Sequence, residues 1–243
     1  MKNFWRIVNK VIKRSDVILL VMDARFPELS FNEELKDKAE GKPIILVLNK
    51  SDLANRNDLM KWKRKHSNSI FVSAKEHQGT SMLKRKILEL GQKEKVRVGV
   101  VGYPNTGKSS IINALKGRKS AKTSAMSGYT KHRQQIKVSE RIFIVDTPGV
   151  LPYMEKDKTK LALIGAEDFS KVKDPDLIAM ELIEVKKKLI CQFYKVKADD
   201  PQDILEAIAD RYKKLKKGGV LDIDATARMI LKDWQRGKIT TRP

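Results

Sequence analysis

Gly102-Tyr103-Pro104-Asn105-Thr106-Gly107-Lys108-Ser109 follows the apolar run Arg97 to Val101 and leads into Lys108 to Leu115, which has helical spacing. Strand, glycine turn and helix form the setting of the G-x-x-x-x-G-K-[ST] phosphate loop. Its backbone N–H groups curl around phosphate oxygens, and the helix amino terminus adds a favourable field. In that pattern Lys108 spans the β- and γ-phosphates and Ser109 ligates Mg²⁺. Asn105, Thr106, Gly107 and Ser110 complete the cradle.

Upstream of this loop, Asn49-Lys50-Ser51-Asp52 ends the apolar run Pro43 to Leu48, and Ser73-Ala74-Lys75 ends the short run 70–73. A carboxylate at Asp52 can accept from both the ring N–H and the exocyclic amine of guanine. Adenine offers no such pair of donors, so the bidentate bond selects guanine. Lys50 would lie along the base, and the Ser73-Ala74-Lys75 turn would offer a backbone N–H to its carbonyl. Downstream, Asp146-Thr147-Pro148-Gly149 ends another strand-like run. There Asp146 can hold Mg²⁺ through water, and the Gly149 N–H can sense the γ-phosphate. Between helix and strand, Gly128-Tyr129-Thr130 lies in a polar loop where a switch threonine could close on Mg²⁺. The full set describes a GTP and GDP site, but the guanine-reading segments precede the phosphate loop. That rotated order points to a circular permutation.

The chain has 243 residues and 41% hydrophobic content, enough for one to two globular domains. Its formal charge of +21 exceeds what one nucleotide site uses, and predicts a polyanionic partner, nucleic acid before acidic membrane. Residues 1–150 hold 31 Lys and Arg against 14 acids, and residues 151–243 hold 20 against 16, so the excess sits with the nucleotide motifs. Residues 116–141 alone carry eight cations against Glu140, so the expected switch loop could itself meet RNA phosphates. Cys191 is the single cysteine, which excludes an intrachain disulfide and fits a reducing interior. With no signal-like start and no membrane-length apolar run, a cytoplasmic protein is expected.

Strand-like and helix-like segments alternate to Gly149. The expected fold is α/β, a mostly parallel six-stranded sheet with helices on both faces, over residues 1–152. Within it, residues 3–14 form a basic amphipathic helix, 17–23 a buried strand ending in Asp23-Ala24-Arg25, and Ser30 with Glu33 a capping box for a helix over 31–41. Beyond it, Asp174-Pro175, Asp200-Pro201 and Asp222 or Asp224 open three helices, giving a small all-α domain over 153–243. Two of these, near 175–195 and 202–217, carry Lys186-Lys187-Lys188 and the lysines of 213–217. Those runs are either RNA contacts or solvated faces.

The motif order, Asp23-Ala24-Arg25-Phe26-Pro27 ahead of Asn49, Pro104-Asn105 within the phosphate loop, and the ending near Arg236-Gly237-Lys238 resemble the YlqF/RbgA family of circularly permuted ribosome-assembly GTPases. The resemblance covers nearly the whole chain. It implies GTP hydrolysis coupled to maturation of the large ribosomal subunit, Mg²⁺ dependence, and a helical carboxyl-terminal domain that contacts rRNA. It also implies a K⁺ site at Asn105, where a cation could offset developing charge. Val150 stands where many GTPases place a water-orienting glutamine, so slow intrinsic hydrolysis is expected, with transition-state support from Lys108, Thr130 and Gly149. No water-positioning residue is assigned. Two other readings remain at this stage: a GTP-gated RNA-binding placeholder whose hydrolysis is incidental, and a GTPase acting on tRNA or at a membrane. A monomer without a membrane partner is the expectation.

Overall fold

A computed structural model describes residues 2–39, 41–117, 135–145 and 157–240. The chain divides into two compact units, Met1–Met154 and Glu155–Pro243.

The first unit is built on a six-stranded sheet of order β3-β2-β1-β4-β6-β5. Its strands are β1 (Val17–Asp23), β2 (Ile44–Asn49), β3 (Ser69–Val72), β4 (Val96–Val101), β5 (Ile136–Lys137) and β6 (Ile142–Ile144). All neighbours pair in parallel except β5 with β6, which are antiparallel. Every residue of β1 is buried, as a central strand covered on both faces requires. Its side chains alternate between two cores. Val17, Leu19 and Val21 pack with Leu83 and Ile87 of α5 (Thr80–Gly91) and with Ile111 and Leu115 of α6 (Lys108–Lys116). On the other face, Ile18, Leu20 and Met22 pack with Val8, Val11 and Ile12 of α1 (Lys2–Arg14), and with Leu59 and Trp62 of α4 (Arg56–Lys65). The two-residue repeat of the strand thus fixes which helix covers which face.

The expected single helix over 31–41 is instead two short ones, α2 (Pro27–Ser30) and α3 (Glu33–Lys38). Ser30 does not cap the second. Its buried hydroxyl accepts from the Asp23 N–H at 3.0 Å and donates to the Phe26 carbonyl at 2.8 Å. The cap is Asn32, whose side chain accepts from the Leu35 N–H at 2.8 Å.

The second unit is helical, with α7 (Lys158–Leu163), α8 (Pro175–Tyr194), α9 (Pro201–Arg211) and α10 (Ile223–Gln235). Asp200 and Asp222 accept from Gln202 and Ala225 N–H groups as amino-terminal caps, while Asp174 makes no side-chain cap bond. Trp234, 1% exposed, donates to the Leu163 carbonyl at 2.8 Å, fastening α10 to α7. Residues 213–217 lie past the end of α9, not in a helix reaching 217. They enter a turn in which Lys216 N–H donates to Val220 O at 2.8 Å and Leu215 bridges Leu221.

Candidate functional site

Because β1 to β4 and β6 run parallel, their carboxyl ends share one edge, the usual place for a ligand in an open α/β sheet. The chain steps from β1 outward through β2 and β3, then returns to the far side of β1 for β4. The loop after β4 therefore starts at the crossing point of the topology. That loop is Gly102–Gly107, and α6 follows it. Gly102 approaches β1 so closely that a Cβ there would lie 2.2 Å from the Val21 carbonyl oxygen. Gly107, at φ 92°, would place a Cβ 2.1 Å from Asn49 Nδ2. Both positions demand glycine.

Asn49 joins the three described motifs. Its Nδ2 donates to the Thr106 carbonyl at 2.8 Å, and its Oδ1 accepts from the Ala74 N–H at 3.1 Å. One buried amide therefore ties the turn Asn49–Asp52, the loop Gly102–Gly107 and the Ser73-Ala74-Lys75 turn together. Segments more than 50 residues apart in sequence meet at this side chain. The Ser73 N–H donates to Gln78 O at 3.1 Å, and Ser73 Oγ accepts from Glu76 N–H at 3.2 Å. The Ser73, Ala74 and Glu76 N–H groups of this turn are thus engaged within the protein.

Within the phosphate loop, Thr106 is fully buried and its hydroxyl donates to Tyr103 O at 2.8 Å, closing the curl. Lys108 Nζ donates to the carbonyls of Gly102 at 3.0 Å and Tyr103 at 2.7 Å. Burial lowers its pKa to about 8. Ser109 and Ser110 are exposed in the first turn of α6, and Asn105, at φ 55°, is exposed on the loop. An ammonium, a helix amino terminus and free hydroxyl-bearing residues make a donor set suited to a polyphosphate and to a hard cation. Thr130, Asp146 and Gly149 lie outside the described residues.

Lys50 takes a left-handed backbone, φ 61°, and its side chain turns inward so that Nζ donates to Asp23 Oδ2 at 2.8 Å. Asp23 is fully buried and also receives Arg25 through Nε at 2.9 Å and Nη2 at 2.7 Å. Burial works against its ionisation, but the charges of Arg25 and Lys50 outweigh burial and hold its carboxyl below the usual range. Burial in turn pushes Lys50 down, against the pull of Asp23. Asp52, 9% exposed, follows in the 3₁₀ turn Ser51–Leu53. The sequence reading places Asp23 and Arg25 at a strand end and within a motif shared with the family, but assigns them no contact with Lys50. The available signal was a carboxylate closing a six-residue apolar run, with a cation two positions on.

A family model described as RsgA GTPase matches residues 8–153, well over half the chain. The chain belongs to this GTPase family. A second model, described as 50S ribosome-binding GTPase, matches residues 97–216. An uncharacterized GTP-binding protein of Methanocaldococcus jannaschii is 42% identical over 96% of this chain and 65% of its own length. Nuclear/nucleolar GTPase 2 of Arabidopsis thaliana is 36% identical over 98% of this chain and 44% of its own. The chain thus spans from under half to about two thirds of the length of these relatives. Among solved structures, GNP-bound YlqF from T. maritima superimposes with a TM-score of 0.68 at 24% identity, covering 98% of this chain and 95% of that one. The fold is therefore that of YlqF, with six strands and helices on both faces, and the family resemblance read from the rotated motifs holds. No helix among the described residues is long and apolar enough to cross a membrane.

Proposed function

We propose that this chain binds GTP and GDP at the carboxyl edge of its sheet and hydrolyses GTP slowly, as a nucleotide-gated factor in large-subunit ribosome assembly. The observation that carries the reading is the Asn49 amide, which gathers the three described motifs at one place. Asp52 reads guanine, Lys50 lies along the base, and the Lys75 N–H meets its carbonyl. Lys108 moves from the loop carbonyls to the β- and γ-phosphates, while backbone N–H groups of Asn105 to Ser110 cradle them. Ser109, Thr130 and, through water, Asp146 would hold Mg²⁺, which would supply charge neutralisation at the phosphates, and Asn105 would suit a K⁺ ion. The Gly149 N–H senses the γ-phosphate, and with Lys108 and Thr130 supports the transition state.

The helical domain, 153–243, is the rRNA-contacting partner of the GTPase domain, 1–152, and GTP favours its RNA-binding arrangement. The ribosomal role is supported by the family model described as 50S ribosome-binding GTPase and by the nucleolar relatives. The protein acts as a cytoplasmic monomer, without a membrane partner. Turnover measured with and without large-subunit precursor particles tests this. Slow hydrolysis alone and faster hydrolysis with particles are expected. Nucleotide-dependent co-sedimentation without any turnover would establish the placeholder reading instead.

A further inference from the structure

At the amino ends of the same strands, roughly 20 Å from the nucleotide motifs by the length of β1, cations crowd around one carboxylate. Asp16 Oδ1 holds Lys93 Nζ at 2.7 Å and Arg97 Nη2 at 3.0 Å. Both cationic side chains remain about half exposed, 57% and 47%, while Asp16 is covered. The Lys42 ammonium is drawn into the same cluster, donating to the carbonyls of Ile12, Lys13 and Ser15 at the end of α1. Burial lowers the pKa of Lys42, and the charges of Arg97 and Lys93 add to that against the pull of Asp16. These cations therefore repel one another.

Helix α1 delivers more charge to this place. It contains five Lys or Arg and no carboxylate. Basic residues in a last turn ordinarily complement the helix dipole. Here Lys42 already occupies those carbonyls, so Lys13 and Arg14 exceed what the helix end requires. Lys10 and Lys13 are exposed, spaced to lie on one side of the helix. Like charges at such spacing cost a helix some stability and find no counter-charge within it.

We infer that the amino edge of the sheet, formed by Lys10, Lys13, Arg14, Lys42, Lys93 and Arg97, is a docking surface for an RNA sugar-phosphate backbone, separate from the nucleotide site. The inference rests on the RNA-contacting reading above and assigns part of that contact to the GTPase domain. The exposed cations Lys10, Lys13, Lys93 and Arg97, with Arg14 and Lys42 partly buried beside them, read charge and spacing, not base sequence, so the surface recognises backbone. Its position leaves the opposite edge open to GTP while RNA is held.

The test compares two triple variants, Lys10→Gln/Lys13→Gln/Lys93→Gln on this edge and Lys61→Gln/Arg64→Gln/Lys65→Gln on α4. Arg97 stays on Asp16 in the first, which preserves the fold, and thermal melting verifies that in both. Binding of a double-helical RNA of arbitrary sequence is followed by fluorescence anisotropy across a salt series, with GDP affinity measured in parallel. The edge variant is expected to bind RNA at least about tenfold more weakly, and its salt slope to fall by about 2 to 3, since each phosphate contact contributes about 0.7 to 0.9. The α4 variant should change affinity by less than about threefold, and GDP binding should be unchanged in both. Equal losses in the two variants would mean a diffuse field and overturn the assignment, as would wild-type RNA binding in the edge variant. An edge variant that loses phosphatidylserine vesicles but keeps RNA would make the surface a membrane contact and likewise overturn it. Failure of the parent protein to bind GDP would instead sink the GTPase reading, independently of the RNA result.

Discussion

Strand β1 is bracketed by two aspartates that each hold two cations, and burial gives the two clusters opposite consequences. At its end, Asp23 is sealed with Arg25, whose side chain is 1% exposed, and with Lys50, 21% exposed. At its start, Asp16 holds Lys93 and Arg97, whose side chains reach solvent. Desolvated charges that depend on one another are costly to separate, so the Asp23 cluster fixes geometry, and what it fixes is Lys50 in the turn proposed to read guanine. Charges that remain hydrated are weakly held and stay available to another partner. The same chemistry thus serves positioning at one end of the strand and contact at the other.

Unfolding titrations test this contrast most severely. Asp23→Ala leaves Arg25 and Lys50 buried without their carboxylate and should cost about 3 to 5 kcal/mol of stability. Asp16→Ala should cost less, about 1 to 3 kcal/mol, because the side chains of Lys93 and Arg97 keep their water and the loss falls on the Arg97 N–H, which donates to Asp16 Oδ2 at 2.8 Å. Equal costs would erase the distinction. Both carboxyls have folded pKa values held below the unfolded value of 3.8, so their contributions are present above that pH and are lost as pH falls through the folded values. Acid unfolding curves of the two variants should therefore be flatter than the parent's below about pH 4.

Next in size, Asn49→Ala orphans the Thr106 carbonyl and the Ala74 N–H, each costing about 1 to 3 kcal/mol. Loss of guanosine-nucleotide binding should accompany the loss of stability. A variant that kept full affinity would show that the three turns hold together without this amide. A smaller effect concerns pH. Lys108 has its pKa lowered to about 8 while it rests on the loop carbonyls. Polyphosphate would raise that value, so binding above about pH 8 should take up a proton, and affinity should fall by at most about tenfold per pH unit. Calorimetry in buffers of different ionisation enthalpy measures the uptake. Binding with no proton uptake at pH 9 would contradict the placement of Lys108.

The parallel part of the sheet was legible in the sequence because β1, β2, β4 and β6 are apolar runs with turn chemistry at their ends, whereas β5 is only Ile136–Lys137. Runs 17–23 and 97–101 were read nearly to the residue, as β1 and β4 show. What escaped was set by distant partners. Ser30 has the composition of a helix cap, but the Asp23 N–H claims its hydroxyl. Lys50 gives no sign in sequence that its ammonium turns inward to a carboxylate 27 positions earlier. The end of α9 was overrun for a local reason. Lys213 adopts φ 50°, which stops the helix before the lysine-rich turn although its side chain would suit one.

The central claim, that segments in rotated order build one guanine-specific pocket, is tested most directly by titrating GDP and XDP into the parent chain and into Asp52→Asn. The account predicts that the parent prefers GDP and that the variant reverses this preference, because an amide presents a donor where xanthine offers a carbonyl. Undiminished GDP affinity in the variant would contradict it.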